Sequence, residues 1–183
     1  MGHVICEPQS AVHTLPSLRV PSRFPLRVRG LMTQSPLTVT PDTAVNEARE
    51  LMRQHAIRHL PVVQKGRLVG IITDSDIRLV LPSPATSLSV WELNYLLDKL
   101  TVGEVMTHLV VTTAPDRHVH EAIGRMLRFK IGALPVVENH QVVGLLTRTD
   151  ILRAFRQVAD QLLQSDGEAE DTSLFSEGVQ SHV

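Results

Sequence analysis

The chain has 183 residues, 43% hydrophobic and 20% charged, with a formal net charge of −1. That balance suits a soluble globular protein with one good core or two small packed ones, and excludes an overall positive field toward nucleic acid or an anionic membrane. One Trp, one Tyr and four Phe are too few for a base-stacking platform, and the single cysteine, Cys6, excludes an internal disulfide framework.

In chain order, residues 1–27 come first. The opening thirty residues carry Arg19, Arg23, Arg27 and Arg29 against one acid, Glu7, and are interrupted by Pro8, Pro16, Pro21 and Pro25. Prolines so spaced break the amphipathic helix of a transit peptide, and "MGHVICEPQS" lacks the basic-then-apolar order of a secretory signal. A flexible arm is expected. No apolar run approaches the roughly 20 residues that span a bilayer, so the expected compartment is the cytoplasm.

From Val28 the chain repeats itself. Val28–Ile77 aligns without a gap on Val102–Ile151 at a constant offset of 74, and twenty of the fifty pairs are identical. In each copy Pro41-Asp42 or Pro115-Asp116 precedes an amphipathic helix. Val45, Ala48 and Met52 recur as Val119, Ala122 and Met126 along one helical face. Asp42 and Asp116 are expected to cap those helices. "LPVV" follows twice as a strand, then a turn ("QKGR" or "ENHQ"), then "LVGII" or "VVGLL" as the hairpin partner. A second helix begins at "TDSDI" or "TRTDI".

Each unit thus reads as short strand, helix, two strands and helix, an α+β fold. A unit of about 50 residues buries its apolar sheet face poorly alone, so the copies are expected to pack sheet to sheet about an approximate two-fold axis. The expected divisions are an arm (1–27), repeat 1 (28–81), a connecting helical insert (82–101), repeat 2 (102–157), and a helix end with a disordered acidic tail (158–183). Residues 165–183 hold five acids and no Lys or Arg. The insert opens on the capping-box pattern Ser89-x-x-Glu92, and its Trp91 and Tyr95 are expected buried, in a core or a dimer contact.

Thr73-x-x-Asp76 and Thr147-x-x-Asp150 resemble capping boxes with Asp in place of Glu at the third helical position. Capping alone explains them. A carboxylate at that place is also suited to accept both hydroxyls of a ribose diol, with Thr assisting and the helix N-terminus favouring a phosphate. Arg58 and His59 precede the first "LPVV", where repeat 2 has Gly132 and Ala133. They read as a solvated basic pair or as phosphate ligands, since a guanidinium fork matches phosphate. Nine histidines raise a metal site. However, His55 and His59 straddle a helix-to-strand boundary, His118 and His120 fall in an exposed first turn, and no acid or Cys cluster completes a shell. No metal is expected.

The series "VRGLMT"/"VGEVMT", "IRHLPVV"/"IGALPVV" and "GIITDSDI"/"GLLTRTDI" resembles the cystathionine-β-synthase (CBS) domain pair, or Bateman module, over residues 28–157. The insert and "LPVVENHQVVGLLTRTDILRAF" resemble its acetoin-utilisation protein B subgroup. The resemblance implies a non-catalytic regulatory module binding AMP, ADP, ATP or S-adenosylmethionine between repeats, as a regulatory ligand rather than a catalytic cofactor. It implies one cleft of Thr147 and Asp150 with Thr40, Val45, Ile57, Arg58 and His59, and another of Thr73 and Asp76 with Ala114, Val119, Ile131 and Gly132. The resemblance also implies a regulated partner protein, which the motifs leave unnamed. No GxGxxG, P-loop lysine or nucleophile–base set suggests an enzyme. The alternative is a dimeric interaction scaffold with empty clefts. A homodimer is expected from the apolar second helices (Ile77, Leu79, Val80, Leu81; Ile151, Leu152, Phe155).

Overall fold

The computed structural model describes residues 27–81 and 89–171. Repeat 1 comprises a one-turn 3-10 helix (Val28–Gly30), β1 (Thr33–Gln34), α1 (Val45–Gln54), β2 (His59–Gln64), β3 (Arg67–Thr73) and α2 (Asp74–Val80). The insert holds α3 (Val90–Lys99). Repeat 2 comprises α4 (Val102–Val105), α5 (Val119–Phe129), β4 (Ala133–Glu138), β5 (Gln141–Thr147) and α6 (Arg148–Asp171). The two tandem units follow the strand, helix, two-strand, helix plan and pack sheet to sheet.

Each hairpin is antiparallel, with Leu60 opposite Ile72 and Leu134 opposite Leu146. Alternation sends those residues outward to the helices, while Ile71, Ala133 and Leu145 form the small cluster between the sheets. The first short strand of each unit is reduced to a bridge: Val39 pairs in parallel with Val62, and Thr113 with Val136. Both hairpin turns have two residues at positive φ, Lys65 and Gly66 in one, Asn139 and His140 in the other. That is the backbone twist favoured in tight hairpins.

The leading segments are exchanged between repeats. β1 pairs with β5 (Thr33 with Leu145, Gln34 with Gly144), and Thr107 bridges to Ile71. The amides of Val28 and Arg29 donate to the carbonyls of Arg117 and Pro115, and those of Val102 and Gly103 donate to Thr43 and Pro41. Accordingly Val28, with Leu31 and Met32, completes the core of repeat 2. Val102 and Met106 complete that of repeat 1. Gly70 and Gly144 leave room for this, because a Cβ on either would meet the side chain of Met106 or Met32.

Three expectations need correction. The N-cap residues of α1 and α5 are Ala44 and His118, without side-chain capping, rather than Asp42 and Asp116. Ala44 and His118 sit in bridges to Thr101 and Arg27, and the first α1 amide, on Val45, donates to the Leu100 carbonyl. At α1, backbone of the exchanged segment thus supplies an acceptor that Asp42 was expected to supply. Of the two places expected for Trp91 and Tyr95, the core is ruled out, since they are 85% and 59% exposed in the single chain and α3 seats Leu97 instead, while a dimer contact remains open to them. Helix α6 runs to Asp171, seven residues into the stretch expected as tail; residues 1–26 and 172–183 lie outside the described residues. The Ser89–Glu92 box does form, with the Ser89 amide donating to Glu92 at 2.8 Å.

Candidate functional site

The two Thr-x-x-Asp motifs stand where β3 and β5 hand over to α2 and α6, half-buried at matching places. Their geometry is nearly the same. Asp76 Oδ2 accepts from the Thr73 amide and from Thr73 Oγ1, both at 2.8 Å, while the Asp76 amide donates back to Oγ1 at 3.2 Å. In repeat 2 the corresponding distances are 2.8, 2.6 and 3.3 Å. The capping reading is therefore fulfilled, and it limits what remains. Each hydroxyl has given its only proton to its own aspartate, so it can only accept further bonds. Among the described residues, each carboxylate has one oxygen engaged in the box and keeps the other, Oδ1, which at Asp150 is drawn to Arg153 at 3.8 Å. Both motifs present acceptors. That suits a pair of hydroxyl donors and repels a phosphate.

Positive charge lies beside them. His59 opens β2 opposite Thr73, and the Asp74 amide donates to the Arg58 carbonyl at 3.0 Å. The same register sets Ala133 opposite Thr147 and joins the Arg148 amide to the Gly132 carbonyl. His59 of repeat 1 and Arg148 of repeat 2 come near each other beside Gly132. A Cβ on Gly132 would sit 3.0 Å from the Arg148 guanidinium and 3.3 Å from His59 Nε2. Gly132 thus leaves the space into which a repeat 2 arginine and a repeat 1 histidine both extend. Burial holds the His59 pKa below its ordinary value, with the charges of Arg148 and Arg58 acting in the same direction and Asp76 opposing them.

Other candidates fall into place around this boundary. Arg58 and Ala114 are exposed, and Ile57, Ile131, His59 and Gly132 are half-buried. Thr40 is exposed and its amide donates to Thr43 Oγ1. Val45 is completely buried, and Val119 retains 5% exposure, so these two serve the interiors of their own repeats. Arg148 was not singled out in the sequence. Its signal was there: it replaces Asp74 at the equivalent position, a charge reversal inside an otherwise duplicated motif. Among the described residues, no three His, Cys, Asp or Glu gather as a metal site, and no helix is long and apolar enough to cross a membrane.

Comparison with known proteins gives matches to the CBS domain at residues 28–83 and 102–157. Among solved structures, a Vibrio cholerae protein assigned to acetoin utilization (AcuB) is 31% identical, with a TM-score of 0.59, over 78% of this chain and 96% of that one. The CBS pair of protein MJ0100, in complex with 5′-methylthioadenosine and S-adenosyl-L-methionine, is 32% identical, with a TM-score of 0.60, over 72% and 96%. CBSX2 in complex with AMP is 31% identical, with a TM-score of 0.60, over 72% and 97%. An L-aspartate semialdehyde sulfurtransferase of Methanocaldococcus jannaschii is 33% identical over 74% of this chain, yet the match spans only 24% of that protein.

Proposed function

The chain belongs to the CBS-domain family, and from that premise we propose that it is a non-catalytic regulatory module sensing an adenosine nucleotide. The observation that carries this is the duplicated acceptor-only box beside a cationic boundary. A ribose diol donates to Asp Oδ1 and Thr Oγ1, while a 5′-phosphate turns away toward Arg58, His59 and Arg148. The cleft of Thr147 and Asp150 with Thr40, Ile57, Arg58 and His59 is the one that takes phosphate. Proximity of Arg148 to His59 supports this grouping, because it links the repeat 2 motif to the repeat 1 strand entry. The cleft of Thr73 and Asp76 with Ala114, Ile131 and Gly132 has glycine where the other has Arg58, with the Arg148 guanidinium beside that glycine, and suits a nucleoside-like ligand.

Related CBS pairs hold AMP or S-adenosyl-L-methionine with 5′-methylthioadenosine, which supports the ligand class. The module acts as a homodimer in the cytoplasm and reports to a partner protein. A thermal-shift screen with AMP, ADP, ATP, S-adenosylmethionine, NAD and GTP tests the reading, because a ligand that binds only the folded state raises its apparent stability. An adenosine ligand should raise the transition, and Arg58→Ala should abolish the advantage of AMP over adenosine. Flat responses to all six at millimolar concentration would leave the interaction scaffold as the better account.

A further inference from the structure

The residue that follows each motif threonine carries opposite charge in the two repeats, Asp74 after Thr73 and Arg148 after Thr147. Asp74 is engaged along its own helix, in an ion pair with Arg78 at 2.7 Å. In repeat 2 the position equivalent to Arg78 holds Leu152, so α6 offers Arg148 no such partner. Among the described residues Arg148 is exposed, and its side chain enters no ion pair or hydrogen bond. It extends toward the boundary between repeats instead. A Cβ on Gly132 would lie 3.0 Å from Arg148 Nη2, 3.1 Å from its Nε and 3.3 Å from His59 Nε2.

Two clefts can claim this one cation. In the sequence Arg148 stands between Thr147 and Asp150, the motif of the first cleft. In space its guanidinium lies beside Gly132, the strand entry of the cleft of Thr73 and Asp76. The first cleft also has Arg58 and His59. The residues grouped in the second, Thr73, Asp76, Ala114, Ile131 and Gly132, include no cation. Arg148 is therefore dispensable to the first and decisive for the second.

We infer that Arg148 is shared between the clefts and sets what the second accepts: a nucleotide while the first is empty, and an uncharged nucleoside once the first holds a phosphate. This rests on the nucleotide reading above and adds a coupling between its two sites. A guanidinium pairs with a phosphate through parallel N–H donors and brings a single positive charge. Drawn toward a phosphate beside Arg58 and His59, it leaves Gly132, and the second cleft keeps only the acceptors of Thr73 and Asp76. Those suit ribose hydroxyls and repel a phosphate. With no ion pair to hold it, the side chain makes that move without disturbing the fold. The coupling is reciprocal, so a nucleotide in the second cleft also weakens a nucleotide in the first.

Isothermal titration of the full chain with AMP and with adenosine reads the second cleft in two states, with thermal unfolding to verify each fold. In wild type preloaded with AMP, the second cleft should bind AMP no better than adenosine. In Asp150→Ala, whose first cleft is weakened, the second should prefer AMP by on the order of 10- to 150-fold, the effect of one charged hydrogen-bonding partner. Adding Arg148→Ala should abolish that preference and leave adenosine binding unchanged. Arg148→Lys should restore part of it, since lysine keeps the charge without the fork. An AMP-to-adenosine ratio that is the same in both states overturns the sharing and leaves the nucleotide reading standing. A preference that survives Arg148→Ala overturns it too. If preloaded AMP excludes adenosine along with AMP, the coupling is steric and Arg148 does not carry it. Binding of neither compound to wild type removes the nucleotide reading, and the sharing with it.

Discussion

Asp150 separates capping from ligand binding, because asparagine can do the first and not the second. Asp150 Oδ2 accepts from the Thr147 amide at 2.8 Å and from Oγ1 at 2.6 Å. Asp150→Ala removes both bonds at a half-buried helix start, a loss of about 1–2 kcal/mol, or roughly 2–8 °C in Tm for a domain of this size. Asp150→Asn keeps a carbonyl oxygen for the same two donors. It forgoes only the favourable charge at the α6 N-terminus, about 0.3–1 kcal/mol. In Asn, however, the free Oδ1 becomes an amide that donates toward ribose hydroxyls in need of an acceptor. Both variants should therefore weaken AMP by on the order of 10- to 150-fold, the equivalent of a lost charged hydrogen bond. Thermal unfolding and isothermal titration with AMP read the two effects separately. If Asp150→Asn binds AMP within about twofold of wild type, against the size of effect a charged hydrogen bond carries, the carboxylate only caps and the ribose reading is refuted.

Asp76→Ala should leave the tight AMP site intact and affect only the weaker one; titration showing the reverse, with Asp150→Ala harmless, reassigns the clefts. Burial lowers the His59 pKa in the folded state, so the contribution of its neutral form is fully present above its ordinary pKa of 6.5 and is lost as pH falls through the lowered folded value. Denaturant unfolding across about pH 5 to 8 should show that slope, flattened in His59→Asn, and an unchanged slope would remove His59 as its source. A chain beginning at residue 37 lacks Val28 and Met32 from the second core and should lose several kcal/mol, on the order of 2–5; a peptide of residues 27–36 added in trans should restore part of the thermal transition. His140→Gly should raise stability by about 0.5–1 kcal/mol, since His140 has φ 65° where repeat 1 has Gly66 at 76°; a lower Tm would show that the imidazole stabilises the turn.

What the sequence disclosed was what it states locally or twice. The hairpins follow from "LPVV" and its partner run, and the Thr73–Asp76 and Thr147–Asp150 boxes need only a spacing of three. The exchange of leading segments was not legible, because Thr33 pairs with Leu145 across more than half of the chain. Its trace was nonetheless present, as the duplicated Val28/Val102 and Met32/Met106 set against the duplicated Gly70/Gly144. The cap positions failed for the same reason: a bridge from a distant segment outcompeted the local aspartates. Of the core and the dimer contact expected for Trp91 and Tyr95, the core failed because composition says which residues favour burial, whereas α3 had only one side to offer α1. Arg148 was hidden by reading the duplication for its identities, when the departures from it mark where the two halves do different work.

The exchange also bears on how such a module can sense anything. Gly70 lies three residues before Thr73 on β3, and Gly144 three before Thr147 on β5; each faces a methionine from the other repeat's leading segment. A ligand that orders either Thr-x-x-Asp motif therefore acts on a strand already packed by the opposite repeat. Neither core is complete without the other's leader, since Val28 belongs to one and Val102 to the other. Such a pair unfolds as one unit, because removing either leader opens the core of the repeat it serves. Binding at one cleft then stabilises both halves by the same amount, set by ligand concentration over dissociation constant. The consequence is concrete: AMP at the tighter cleft must shift the whole unfolding transition, including hydrogen-exchange protection in the hairpin of the repeat whose own motif is empty.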